Sequence, residues 1–113
     1  MADAPRNEAE PTPWSVYLVR CGDGSLYTGI ANDVARRFEE HREGERKCAK
    51  YLRGRGPLRL VFERRIGERG LALSVESSIK RLSRERKEAL IAPGGPIEAL
   101  VAQAQGDLER RVR

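Results

Sequence analysis

Between Trp14 and His41 the chain gathers two phenols, Tyr17 and Tyr27, a glycine, Gly29, a guanidinium, Arg37, and its only imidazole, His41. Phenols can hold or activate water, a guanidinium binds phosphate oxygens in pairs, and an imidazole moves protons near neutral pH. A free phenol ionises near pH ~10, so one that works as a base at neutral pH needs a cation beside it. Further along, Glu76 falls beside Val75, on the buried side of a helical stripe. A carboxylate there is costly unless it is paired or holds a metal. Lys80, four residues on, is the pairing alternative. Structural alternatives exist for the others too: core phenols with satisfied hydroxyls, a solvated face for Arg36 and Arg37, a helix-end histidine without a role.

These groups can meet only if the elements carrying them fold together. Ser15–Cys21 alternates Val16, Leu18 and Arg20 with Tyr17, Val19 and Cys21, a strand apolar on both faces. Gly22-Asp23-Gly24 is a turn signal, and Ser25–Gly29 the antiparallel partner strand. Gly29 ends that strand or admits a close backbone approach. Asn32 or Asp33 caps the next helix, whose Val34 and Phe38 face the core, and Gly44 ends it. Arg37 and His41, four apart, form an adjacent stripe. Arg36, one residue from Arg37, points about 100° away round the helix. Lys47–Arg55 reads as a basic loop containing Lys50, Tyr51, Arg53 and Arg55, suited to a phosphate backbone with Tyr51 stacking on a base. Leu58–Arg65 is a third strand with Leu58, Leu60 and Phe62 on one face. Leu71–Leu90 reads as one helix with Ala72, Val75, Ile79 and Leu82 buried and basic residues at its end. The order β-β-α-β-α predicts an α+β domain with a three-stranded sheet flanked by helices.

The chain has 113 residues, enough for one domain, with a net charge of +5. Acids outnumber Arg6 in residues 1–13 and charges balance in 93–113, so the excess of basic residues lies in 14–92. Such a domain fits a polyanion, nucleic acid first. Residues 1–13, rich in proline and polar side chains, read as a disordered leader, and 93–113 as a tail with a short helix. Two cysteines do not make a disulfide scaffold, no stretch approaches a membrane span, and a cytoplasmic protein is expected.

The sequence resembles the GIY-YIG nuclease superfamily, in its small, single-domain bacterial branch. The resemblance covers roughly residues 14–92. It rests on Ser15-Val16-Tyr17, Tyr27-Thr28-Gly29, Asp33…Arg36-Arg37…His41, Ala49-Lys50-Tyr51, Arg55-Gly56-Pro57 with Leu60-Val61, and Ala72…Glu76…Ile79-Lys80-Arg81-Leu82. Both tripeptides depart from the family pattern: the first is Ser-Val-Tyr and lacks the glycine, and the second is Tyr-Thr-Gly. The resemblance implies a nuclease in which Tyr17, Tyr27, Arg37 and His41 are catalytic, Glu76 holds one Mg²⁺ or Mn²⁺ ion, and Gly29 shapes the site. Either tyrosine could be the base, and His41 is expected near the leaving group as a proton donor. Arg36, Lys50, Tyr51, Arg53, Arg55 and Lys80 would bind nucleic acid, DNA ahead of RNA, with little sequence preference. The substrate expected is single-stranded or branched DNA in repair or recombination. The alternative is a nucleic-acid-binding module with weak or no catalysis. A monomer or weak dimer is expected; the sequence identifies no protein partner.

Overall fold

A computed structural model describes residues 12–44 and 46–112, and the leader expected over 1–13 lies mostly outside them. Three strands, β1 (Trp14–Arg20), β2 (Leu26–Ala31) and β3 (Arg59–Gly67), form one antiparallel sheet in the order β2-β1-β3. The central strand is β1, which explains why both its faces are apolar: each carries a separate core. Tyr17, Val19 and Cys21 share one with Ala31, Val34, Cys48 and Leu52. Val16 and Leu18 share the other with Val75, Ile79, Leu90 and Ala104.

Helix α1 (Val34–Glu43) starts where the Asp33 side chain accepts the Arg36 N–H at 3.1 Å and stops at Gly44, whose φ of 73° is left-handed. It covers the tyrosine face together with the basic loop, which contains a short 3₁₀ turn at Lys50–Leu52. The loop is clamped to the β1–β2 turn. Gly22 donates to the Arg55 carbonyl at 2.6 Å, and a Cβ on Gly22 would lie 2.4 Å from the Gly56 carbonyl oxygen.

The third strand departs from the expected register. Leu18 faces Phe62 but Val19 faces Leu60, so β3 bulges at Val61. The bulge breaks the alternation, sending Leu58 and Leu60 to the tyrosine core and Phe62 to the opposite one. The expected single helix over 71–90 is two: α2 (Arg69–Lys80) and α3 (Arg84–Ile91). Ser83 divides them because its hydroxyl accepts the Arg86 N–H at 3.2 Å, a capping bond that starts a new helix. Arg84, Arg86 and Lys87 therefore stand at a helix start, not at an end. The segment read as a tail forms α4 (Ile97–Val112), which packs on α2 and buries Ala104 in the shared core. Gly95 permits this return, since a Cβ there would meet the Ala89 carbonyl at 2.5 Å.

Arg20 ties the sheet to α3. Its guanidinium donates to both Glu88 oxygens, at 2.8 and 2.6 Å, and to the Gly24 carbonyl at 3.3 Å. Both side chains are partly exposed, so solvent screens the pair, yet its two-pronged geometry resists thermal loss. A double-mutant cycle with Arg20→Ala and Glu88→Ala, followed by urea unfolding, is expected to give a coupling of about 1 kcal/mol. Additive effects of the two substitutions would show the pair to be idle.

Candidate active site

Tyr17 comes from the middle of β1 and faces Gly29 across the β1–β2 ladder. In antiparallel pairs, side chains directly opposite compete for one volume. Here the tyrosine takes all of it: a Cβ on Gly29 would lie 2.6 Å from the Tyr17 hydroxyl and 2.7 Å from Cζ. Gly29 thus makes room for the phenol.

Behind Tyr17 stands His41. The Tyr17 hydroxyl and His41 Nε2 are 2.8 Å apart, and the Ala49 N–H donates to His41 Nδ1 at 3.3 Å. A backbone amide can only donate, so Nδ1 carries no proton. Nε2 must then hold the proton and donate it to the Tyr17 oxygen. The Tyr17 O–H is left to donate to a group other than His41. Burial, then the nearby Arg37 charge, lowers the His41 pKa from its usual 6.5 to about 4. At neutral pH the ring is uncharged, and it is only 1 % exposed. In this arrangement His41 holds Tyr17 from the core side.

Tyr27 follows on β2, with its ring 6.3 Å from Tyr17 and 5.6 Å from His41. Tyr51 extends the cluster outward at 5.9 Å from Tyr27, and the Arg55 guanidinium lies 4.3 Å from the Tyr51 ring centre. Tyr51 is exposed, as base stacking requires, but Arg55 already lies over its ring and pairs with Asp23 at 2.7 Å. Lys50 and Arg53 are exposed on the same loop.

Arg37 occupies the rim of this cluster. Its NH1 donates to Glu40 at 2.9 Å and to the Lys47 carbonyl at 2.6 Å, so the guanidinium is braced from behind. Arg36 points away, exposed, 3.6 Å from the other Glu40 oxygen. Glu76 lies largely covered on α2, with Lys80 Nζ 3.5 Å from its carboxylate. The phenols record how these charges converge. Burial chiefly pushes both tyrosines up; Arg37 pulls both down, and Glu76 pushes both up.

Residues 13–89 match the GIY-YIG catalytic domain. The chain belongs to the GIY-YIG family. A UPF0213 protein of Citrobacter koseri is 52 % identical over 94 residues, which is 83 % of this chain and 92 % of that protein. The UPF0213 protein YhbQ of Escherichia coli is 47 % identical over the same shares. A solution structure of a UPF0213 protein from Bacillus halodurans is 43 % identical, covers 74 % of this chain and 86 % of its own, and has a TM-score of 0.47. GIY-YIG is a nuclease superfamily, whose domain implies nucleic-acid binding and whose members generally use a divalent metal.

For a metal, this GIY-YIG site offers oxygen. Among the described residues no three His, Cys, Asp or Glu side chains gather as ligands. Glu76, largely covered on α2, is the carboxylate expected to serve, and one carboxylate completed by water suits a hard ion such as Mg²⁺. Thr28 pairs with Leu18, so its side chain lies on the sheet face opposite the phenols, where its buried Oγ1 has no hydrogen-bond partner among the described residues. A hydroxyl in that state calls for a water or ligand. Among the described residues, no helix is long and apolar enough to cross a membrane.

Sequence reasoning missed Thr28, the Ala49 amide and the Glu40–Lys47 brace. The departure at Thr28 was visible in the motif; the other two arise only when the basic loop folds back on α1.

Two outcomes follow from this geometry. Gly29→Ala should displace the Tyr17 ring and break its bond to His41, lowering stability by about 1–3 kcal/mol in urea unfolding; an unchanged midpoint would show that the phenol has slack. The second concerns acid. His41 has a folded pKa of about 4 against 6.5 unfolded, so below 6.5 the unfolded chain binds the proton first. Its contribution is complete above pH 6.5 and falls away towards pH 4, by roughly 3 kcal/mol. The stability difference between wild type and His41→Gln, measured at pH 7 and pH 4, should narrow by that order.

Proposed function

We propose that the protein is a divalent-metal-dependent phosphodiesterase that hydrolyses DNA, single-stranded or branched, in repair or recombination. The observation that supports this reading is the cluster of Tyr17, Tyr27 and His41, whose ring centres lie 5.6 to 6.3 Å apart, with Arg37 braced at its edge by Glu40 and the Lys47 carbonyl. Each group has a chemically suitable task. Arg37, braced through NH1, keeps the rest of its fork for phosphate oxygens and for the charge that grows on them in the transition state. Tyr17 and Tyr27, both protonated at neutral pH in this state, donate to the attacking water or the phosphate. His41 fixes the Tyr17 oxygen through its Nε2–H, and the same bond, with Arg37 nearby, favours the phenolate when Tyr17 gives up its proton. Glu76 would hold one Mg²⁺ or Mn²⁺ ion. Such an ion supplies positive charge against the phosphate and a more acidic bound water. Lys50, Arg53 and Arg36, exposed on the same side as the basic loop and α1, position the strand through its backbone.

The ion pair between Glu76 and Lys80 favours a second reading, a binding module whose carboxylate is already neutralised. The two separate in one experiment. Incubation of purified protein with single-stranded and branched DNA, with Mg²⁺ and with chelator, should give Mg²⁺-dependent cutting. Glu76→Gln and Arg37→Ala should each reduce it by about 10²–10³-fold while melting stays cooperative. Salt-sensitive binding without cutting would establish the second reading instead.

A further inference from the structure

Beside Arg37 is a cavity of about 300 Å³ that the catalytic assignment does not use. Neither tyrosine nor Glu76 lines it. Its walls are Trp14, Ile30, Ala31, Asn32 and Asp33, and Arg36, Arg37 and Glu40 stand at its α1 side. That volume is at the lower end for small-molecule pockets, roughly 300–1,000 Å³. The lining divides by chemistry. Trp14, Ile30 and Ala31 supply an aromatic plane and apolar floor. Asn32 supplies an exposed amide. Asp33 spends Oδ1 on its capping bond to the Arg36 N–H, leaving Oδ2 for a ligand. Glu40 is already taken by Arg36 and Arg37.

Trp14 is the chain's single tryptophan and stands between this cavity and a second, apolar one lined by Gly67, Glu68 and Arg69. The Arg69 guanidinium lies over the Trp14 ring at 5.4 Å and lines only the second cavity. Trp14 thus borders both cavities, with Arg69 packed over its ring from the second. A space bordered by a tryptophan, with hydrogen-bonding groups in its lining and two arginines beside it, suits a base attached to a phosphate. Stacking gives base affinity, and the cations hold the backbone.

We propose that this cavity is a nucleobase subsite, taking the base of a nucleotide whose phosphate meets Arg36 and Arg37. The subsite deepens the nuclease reading and rests on it for its substrate class. It accepts any base by stacking on Trp14, while Asn32 and Asp33 address the base edge.

Trp14 makes the test direct. Intrinsic fluorescence is titrated with deoxynucleoside 5′-monophosphates, with deoxyribose 5-phosphate and with inorganic phosphate, in chelator so that no cutting occurs. The nucleotides are expected to quench Trp14 and to bind at least about fivefold more tightly than the sugar phosphate, the lower bound of a stacked base. Asn32→Ala, an exposed change that leaves the core intact, should weaken nucleotide binding and leave sugar phosphate binding unaltered. Trp14→Phe, read by calorimetry, should retain part of the preference. Equal affinity for nucleotide and sugar phosphate, or quenching insensitive to Asn32→Ala, would overturn the subsite. Cutting of DNA without nucleotide preference would sink only this proposal; nucleotide preference without any cutting would sink only the nuclease reading.

Discussion

The hydrogen bond between Tyr17 and His41 is the constraint around which the tyrosine face is arranged. Its 2.8 Å length requires a phenol in the volume opposite a glycine, an imidazole driven into the core from α1, and an amide behind that imidazole. Each requirement comes from a different part of the chain. Gly29 belongs to β2, His41 to the last turn of α1, and Ala49 to the basic loop. Formation of one bond thus reports that hairpin, helix and loop have all docked.

Charge is organised around that bond in layers. The innermost pair, His41 and Tyr17, is neutral because burial penalises ions. At the rim, Arg37 and Glu76 carry opposite charge and act on the same two phenols from different helices. Outside them lie Lys50, Arg53 and Arg36, exposed to solvent. Burial has the largest effect on the phenols, while the outer cations remain screened and free to meet a polyanion. The arrangement is what phosphoryl chemistry needs: positioned hydroxyls inside, a braced guanidinium at the edge and a basic approach.

Much of this was legible in the residues. The two-faced apolarity of Val16–Val19 announced a central strand, and Asp33 and Gly44 marked the ends of α1 by their capping chemistry. The Tyr-Thr-Gly and Arg…His spacings carried the family. What stayed hidden depends on contacts distant in sequence or on one local competition. Ser83 could serve as a helix interior or a cap, and only the packing of α3 under Arg20 decides for the cap. The bulge at Val61 moves Phe62 to the other core, and nothing in the alternating pattern of that strand signals it. The helix stripe that His41 shares with Arg37 was legible, but the amide that sets its tautomer lies in a loop that periodicity cannot place.

Because His41 is the sole histidine, its state can be read without assignment ambiguity by ¹⁵N-histidine NMR across pH 7 to 4. The account predicts a neutral ring with the proton on Nε2, its Nδ1 unprotonated, and titration only near pH 4. A proton on Nδ1, or a ring that charges near its ordinary pKa of about 6.5, would contradict it, and with it the claim that His41 serves the site by holding Tyr17.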